Sequence, residues 1–207
     1  MGRRLAGAVL ATALVGATGC TGASDRSTGP VPGPSRVSPT AEPSRSRPPS
    51  VPVRARVTRV AGRLAARDRT RLAVQVGRTV AAYTDAAFLT GSYPRSAFGT
   101  SFGAFTDEAG VSARRSVALL TNQPLGDTTR SVRATRRTAY LSVLAPAGRV
   151  SGVTAAVDLV FRVDRVEAAD RRVRLTGRLL LTQDRSGRWR IFGYDVARSG
   201  SSVRSLS

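Results

Sequence analysis

Residues 152–166 read GVTAAVDLVFRVDRV. Val153, Ala155, Val157, Leu159, Phe161 and Val163 fall on one side of a strand drawn through them, and Asp158 falls on the other. A helical period would scatter these six apolar residues around its axis, so the stretch predicts a strand with one buried face. The same two-fold pattern recurs on either side. RRTAYLSVLAP (136–146) reads as a strand ended by Pro146. RRVRLTGRLLLTQD (171–184) sets Val173, Leu175, Leu179 and Leu181 on one face. GRWRIFGYDVAR (187–198) is a fourth strand after a turn at DRSG. Its alternation predicts Phe192 and Tyr194 on one face, and Trp189, Ile191 and Asp195 on the other. Strands joined by short polar links predict an antiparallel meander.

The residues before the strands have a different period. In 56–91, Val57, Val60, Ala61 and Leu64 are spaced by three and four, and Leu72, Val76, Val80, Tyr83 and Ala87 continue the stripe. This predicts helix, with a break near Asp68 and a stop at Gly91. YPRSAFGTSFGAF (93–105) places Phe98, Phe102 and Phe105 on one side of a shorter helical piece. TDEAGVSARRSVALLTN (106–122) opens with Thr106 or Asp107 as a cap and has acids in its first turn. Helices first and strands second predict an α+β fold, with N-terminal helices packed on a curved antiparallel sheet of four or more strands. That domain is expected over 53–198, with a disordered tail over 199–207.

Upstream the composition changes. Residues 21–52 hold eight of the chain's eleven prolines, with Ser, Thr, Gly and Ala and no aromatic residue. Such a segment cannot bury enough surface to offset its ordering entropy. It is expected to form an extended tether reaching on the order of 90 Å. A glycosylated or partner-binding Ser/Thr/Pro segment is the other reading. The chain opens MGRRLAGAVLATALVGATGC (1–20), with Arg3 and Arg4 before a short apolar run and small residues before Cys20, the sole cysteine. The layout is that of an export signal over 1–19. Its apolar run is too short for a bilayer core, which takes about 20 residues. The small residues ending in Cys20 resemble the lipobox of bacterial lipoproteins. That resemblance implies a diacylglyceryl thioether on Cys20, and two acyl chains suffice for stable anchoring. An ordinary signal peptide with an incidental cysteine stays open, as does the Sec or twin-arginine export route. The expected location is the extracytoplasmic face of the cell membrane.

All 33 basic residues are arginine, against 13 acids, giving a net charge of +20. Arginine without lysine, alongside abundant Ala, Val and Gly, fits the coding bias of a high-GC genome of the actinobacterial kind. The charge favours anionic wall polymer or lipid. Aromatic residues do not cluster among the arginines, and nucleic acid is not expected as a partner.

The order of elements resembles the nuclear-transport-factor-2-like cone fold, whose secreted actinobacterial members include the Mce-associated proteins. The likeness spans roughly 70–197: a helix entering VAAYTDAAF (80–88), two short helices, and long strands closing on GRWRIFGYDV. It implies a cone-like cavity, and by analogy a homodimer through the outer sheet face. Enzymes of that superfamily use an Asp base with a Tyr or protonated Asp donor.

Much chemistry is excluded. Without histidine, and with one cysteine assigned to lipid, Ser-His-Asp, Cys-His and Cys/His zinc sites are absent. No phosphate loop or calcium-loop spacing occurs. No metal and no cofactor is expected. The ligand-pocket candidates are Tyr83, Tyr140, Tyr194 and Asp158; the same tyrosines read equally as core aromatics with hydroxyls at the rim. Arg136, Arg174 and Arg178 are the candidates for an anion-binding surface, unless cross-strand acids such as Asp158 neutralise them. The leading reading is a membrane-anchored, non-enzymatic binding or accessory module. The alternatives are a cone-fold enzyme or carrier for an apolar small molecule, and a structural lipoprotein contacting anionic polymer or lipid.

Overall fold

The alternating stretch is strand β3 (Gly152–Arg165), the middle strand of a five-stranded sheet ordered β1-β2-β3-β4-β5. The computed structural model describes residues 51–203. The predicted signal, Cys20 and nearly all of the predicted tether lie outside the described residues. β2 (Thr129–Ala145), β3, β4 (Arg171–Gln183) and β5 (Trp189–Ser202) form the antiparallel meander. All six inward residues predicted for β3 are buried, as are Val173, Leu175, Leu179 and Leu181 of β4.

The sheet is mixed rather than wholly antiparallel. Residues assigned to helix at 56–62 belong to β1 (Arg54–Gly62), which runs parallel to β2 at one edge. The misreading has a physical source. The register shifts between Val57 and Arg59, so a bulge sets Val57 and Val60 on the same side of the strand. Both pack against the core. A bulged strand thereby reproduces the three-residue spacing of a helix. Gly62 ends β1 at φ 107°, where a Cβ would stand 2.1 Å from the Ala145 carbonyl oxygen.

Helix α1 (Ala66–Thr84) begins near the predicted break and buries Leu72, Val76, Val80 and Tyr83. A π-helical turn, Asp85–Leu89, continues the stripe through buried Ala87. The predicted helix over 93–105 reduces to one 3₁₀ turn, Gly99–Phe102, yet Phe98, Phe102 and Phe105 are all buried. Helix α2 (Asp107–Arg115) is capped by Thr106, whose hydroxyl accepts from the Ala109 amide. The short α3 (Val117–Leu120) follows. Buried residues of α1, α2 and α3 join the inward residues of β2–β5 in one hydrophobic core.

Two expectations about β5 are corrected. Leu180 pairs with Gly193 and Leu181 with Ile191, so Phe192 is an extra residue in the strand. This bulge reverses the alternation. Tyr194 joins Trp189 and Ile191 on the core face, whereas Asp195 turns outward. Residues 199–202, expected to be disordered, are strand paired with Arg171–Arg174.

Candidate functional site

On the outer face of the sheet, Arg136 of β2 and Arg174 of β4 flank Asp158 of β3. Arg174 donates from Nε to Oδ1 at 2.8 Å and from Nη2 to Oδ2 at 3.2 Å, and Arg136 Nη1 donates to Oδ2 at 3.2 Å. Their register explains the meeting: both arginines lie opposite Val160, one row from Asp158. Partial burial acts to raise the Asp158 carboxyl, but the bonds from Arg174 and Arg136 outweigh it and hold the carboxyl below its ordinary range. Arg178 stands opposite Asp195, 3.8 Å away. Arg162 bonds Asp170 in the same manner nearby. All three arginines expected to face an anionic partner therefore stand beside acids of this chain, Arg136 and Arg174 sharing Asp158 and Arg178 loosely facing Asp195.

This cluster gives a testable pH dependence. A carboxyl held low binds fewer protons folded than unfolded. Its contribution is full above the unfolded value of about 4 and is lost as pH falls through the folded value. Both arginines are more than half exposed, so screening limits the contribution to less than about 1 kcal/mol. Asp158→Asn is expected to lower stability by that amount at neutral pH. It should also flatten the loss of stability below about pH 4, read from urea midpoints across the acid range.

Tyr140 also lies on the outer face, with the Arg56 guanidinium 5.2 Å from its ring centre. Tyr83 and Tyr194 lie on the core face, on either side of Phe105 at ring distances of 5.1 and 6.2 Å. The Tyr83 hydroxyl donates to the Leu120 carbonyl at 2.8 Å. Burial pushes the Tyr83 phenol up, and the Tyr194 phenol adds to this. The Tyr194 hydroxyl bonds Ser116 Oγ at 3.4 Å. The four pocket candidates are thus divided two and two by the thickness of the sheet, and Asp158 does not face Tyr83. Because the Tyr83 hydroxyl caps a buried carbonyl, Tyr83→Phe is expected to cost about 1–3 kcal/mol. Urea unfolding measures the loss.

Two groupings were missed in the sequence. Arg137 is in phase with Ala139, Leu141 and Val143 and is buried on the core face. Its Nη2 meets Asp85 Oδ1 at 2.8 Å and Thr84 Oγ1 at 2.7 Å, and its Nη1 donates to the Val51 carbonyl at 3.1 Å. The available signal was a charge in step with an apolar stripe. The second grouping is a cleft of about 430 Å³ where α1, residues 103–104 and the β4–β5 turn meet. Its lining includes Arg78, Arg188, Arg190 and Trp189, drawn from segments far apart in sequence.

Among the described residues, no group of three His, Cys, Asp or Glu side chains is placed to hold a metal. No helix there is long and apolar enough to cross a membrane. No protein-family model, curated protein or solved structure matches the chain.

Proposed function

We propose that this chain is a membrane-anchored extracytoplasmic lipoprotein whose cone-like domain serves as a non-enzymatic binding module. The observation that carries the reading is the division of the candidate acid–base groups. Acid catalysis of the Asp/Tyr type needs the carboxylate and the phenol within reach of one substrate. Here the sheet lies between Asp158 and Tyr83, and each is engaged by a partner of this chain. The core side is filled by Tyr83, Phe88, Phe105, Phe161 and Leu120, all fully buried, which weighs against a carrier cavity there.

The anchoring half of the reading rests on the apolar run ending in Cys20 and on the proline-rich residues after it. A diacylglyceryl group would hold the chain, and the extended segment would place the domain clear of the lipid surface. Detergent-phase partition of the protein expressed in its own host tests this. Wild type is expected in the detergent phase and Cys20→Ala in the aqueous phase or unprocessed. Aqueous partition of both would remove the anchor from the proposal.

A further inference from the structure

The α1–hairpin cleft differs from the Asp158 cluster in its charge balance. Outer-face arginines Arg136, Arg162, Arg174 and Arg178 each have an acid partner. Three arginines, Arg78, Arg188 and Arg190, line the cleft, and no carboxylate does. Arg78 has no ion pair among the described residues. Arg190 Nη1 is spent on the Gly103 carbonyl at 3.0 Å, which leaves its other nitrogens without a protein acceptor among those residues. Arg188 has one acid nearby, Asp184 at 3.5 Å. The turn's own bonds fall on Asp184 Oδ1, while Arg188 Nε faces Oδ2 and donates to Ser186 Oγ at 3.0 Å, so Arg188 is the most engaged of the three.

Beneath this rim the lining is mainly apolar: Ala82, Ala104 and Trp189. Trp189 is only 6% exposed, and its indole N–H has no acceptor among the described residues. The walls are also fixed in place. Thr79 Oγ1 donates to the Trp189 carbonyl at 3.3 Å, tying α1 to β5. The Ile191 amide donates to the Ala104 carbonyl at 2.9 Å, and the Thr106 amide to the Ile191 carbonyl at 2.9 Å. A preformed cleft with an apolar floor and a few convergent polar groups is the usual form of a small-ligand site.

We infer that this cleft binds an amphiphilic anion: a phosphate or carboxylate head held chiefly by Arg78 and Arg190, with Arg188 at the edge, and an apolar body against Ala82, Ala104 and the Trp189 ring. The inference rests on the binding-module reading and names its site and ligand class. The head chemistry is shared by a membrane lipid and a free amphiphile.

Trp189 is the sole tryptophan, so its fluorescence reports on the cleft directly. The test uses the full chain carrying Cys20→Ala, titrated with dodecyl phosphate below its micellar concentration. Dodecyl maltoside serves as the uncharged counterpart. A saturable change in emission is expected with the phosphate and not with the maltoside. Arg78 is exposed, so Arg78→Gln should fold normally by circular dichroism and weaken the titration about ten-fold or more. Arg174→Gln should leave it unchanged. Equal responses to both amphiphiles, an unaltered titration in Arg78→Gln, or no response at all would overturn the inference. Loss of binding in Arg174→Gln would do the same by moving the anion to the outer face, while leaving the binding-module reading standing. Phosphatidylglycerol vesicles separate the sources. A matching, Arg78-dependent response to vesicles assigns the head to membrane lipid. A response confined to dodecyl phosphate assigns it to a free ligand.

Discussion

Asp85→Ala is expected to destabilise the domain by about 3 kcal/mol, the lower end of the cost of removing one partner from a buried ion pair, because the Arg137 guanidinium is buried while the Asp85 side chain is partly exposed. Arg137 points into the core from β2 and is almost wholly buried. Burial works against its charge, and the Asp85 carboxylate opposes that effect without cancelling it. An arginine does not discharge at any ordinary pH. Without Asp85 the guanidinium would keep a full charge with only neutral acceptors: Thr84 Oγ1 and the carbonyls of Ala81 and Val51. The reverse change is milder. Arg137→Met keeps the packing of the stem and removes the charge, and the Asp85 side chain, 35% exposed, can turn to water. A loss of about 1–2 kcal/mol is expected there, from the unpaired polar groups. Urea unfolding of the two variants measures both. Equal losses, or a larger loss in Arg137→Met, would show that the pair is not held as described.

Phe161→Ala is the second large effect, at about 3–5 kcal/mol. Phe161 is fully buried at the centre of β3, with its ring 5.6 Å from that of Phe88. Truncation leaves a cavity walled by strands that cannot close in. Phe192 supplies the contrast: beside core-facing Ile191 it points outward, where it is 50% exposed. Phe192→Ala should change stability by no more than about 0.5 kcal/mol. With a typical total of about 5–15 kcal/mol, the Phe161 variant could lose most of its folded population. Thermal and urea melts of the two phenylalanine variants would establish the facing of both strands. Comparable losses would contradict the outward facing of Phe192.

The pattern of agreement follows from what alternation can encode. β3 and β4 run without interruption over their buried centres, so every second side chain falls on the core face and the apolar stripe is directly visible. The Thr106 cap and the helical stripe from Leu72 to Ala87 were legible for the same local reason. Both bulges defeated that reading. At Thr58 the extra residue made an edge strand look helical. At Phe192 it exchanged the faces assigned to Tyr194 and Asp195. A bulge is a feature of pairing between strands, so no residue type within the strand announces it. The parallel pairing of β1 with β2 is hidden in the same way, because it joins segments separated by the whole helical half of the chain.

The candidate site was less legible than the fold. Asp158, Arg136 and Arg174 could be placed on the outer face by parity, and the option that they neutralise one another is the one the side chains adopt. Tyr83 was located on its helix, but its acceptor is a backbone carbonyl thirty-seven residues away. The cleft depends on Arg78, Gly103 and Trp189 meeting in space, and nothing in their local sequences connects them.

The most direct test of an anchored binding module is native mass spectrometry of the full protein purified from the membranes of its own host. The account predicts a polypeptide beginning at Cys20, carrying a diacylglyceryl group and a non-covalent anionic adduct that is lost in Arg78→Gln. An unlipidated chain with no bound species would contradict it.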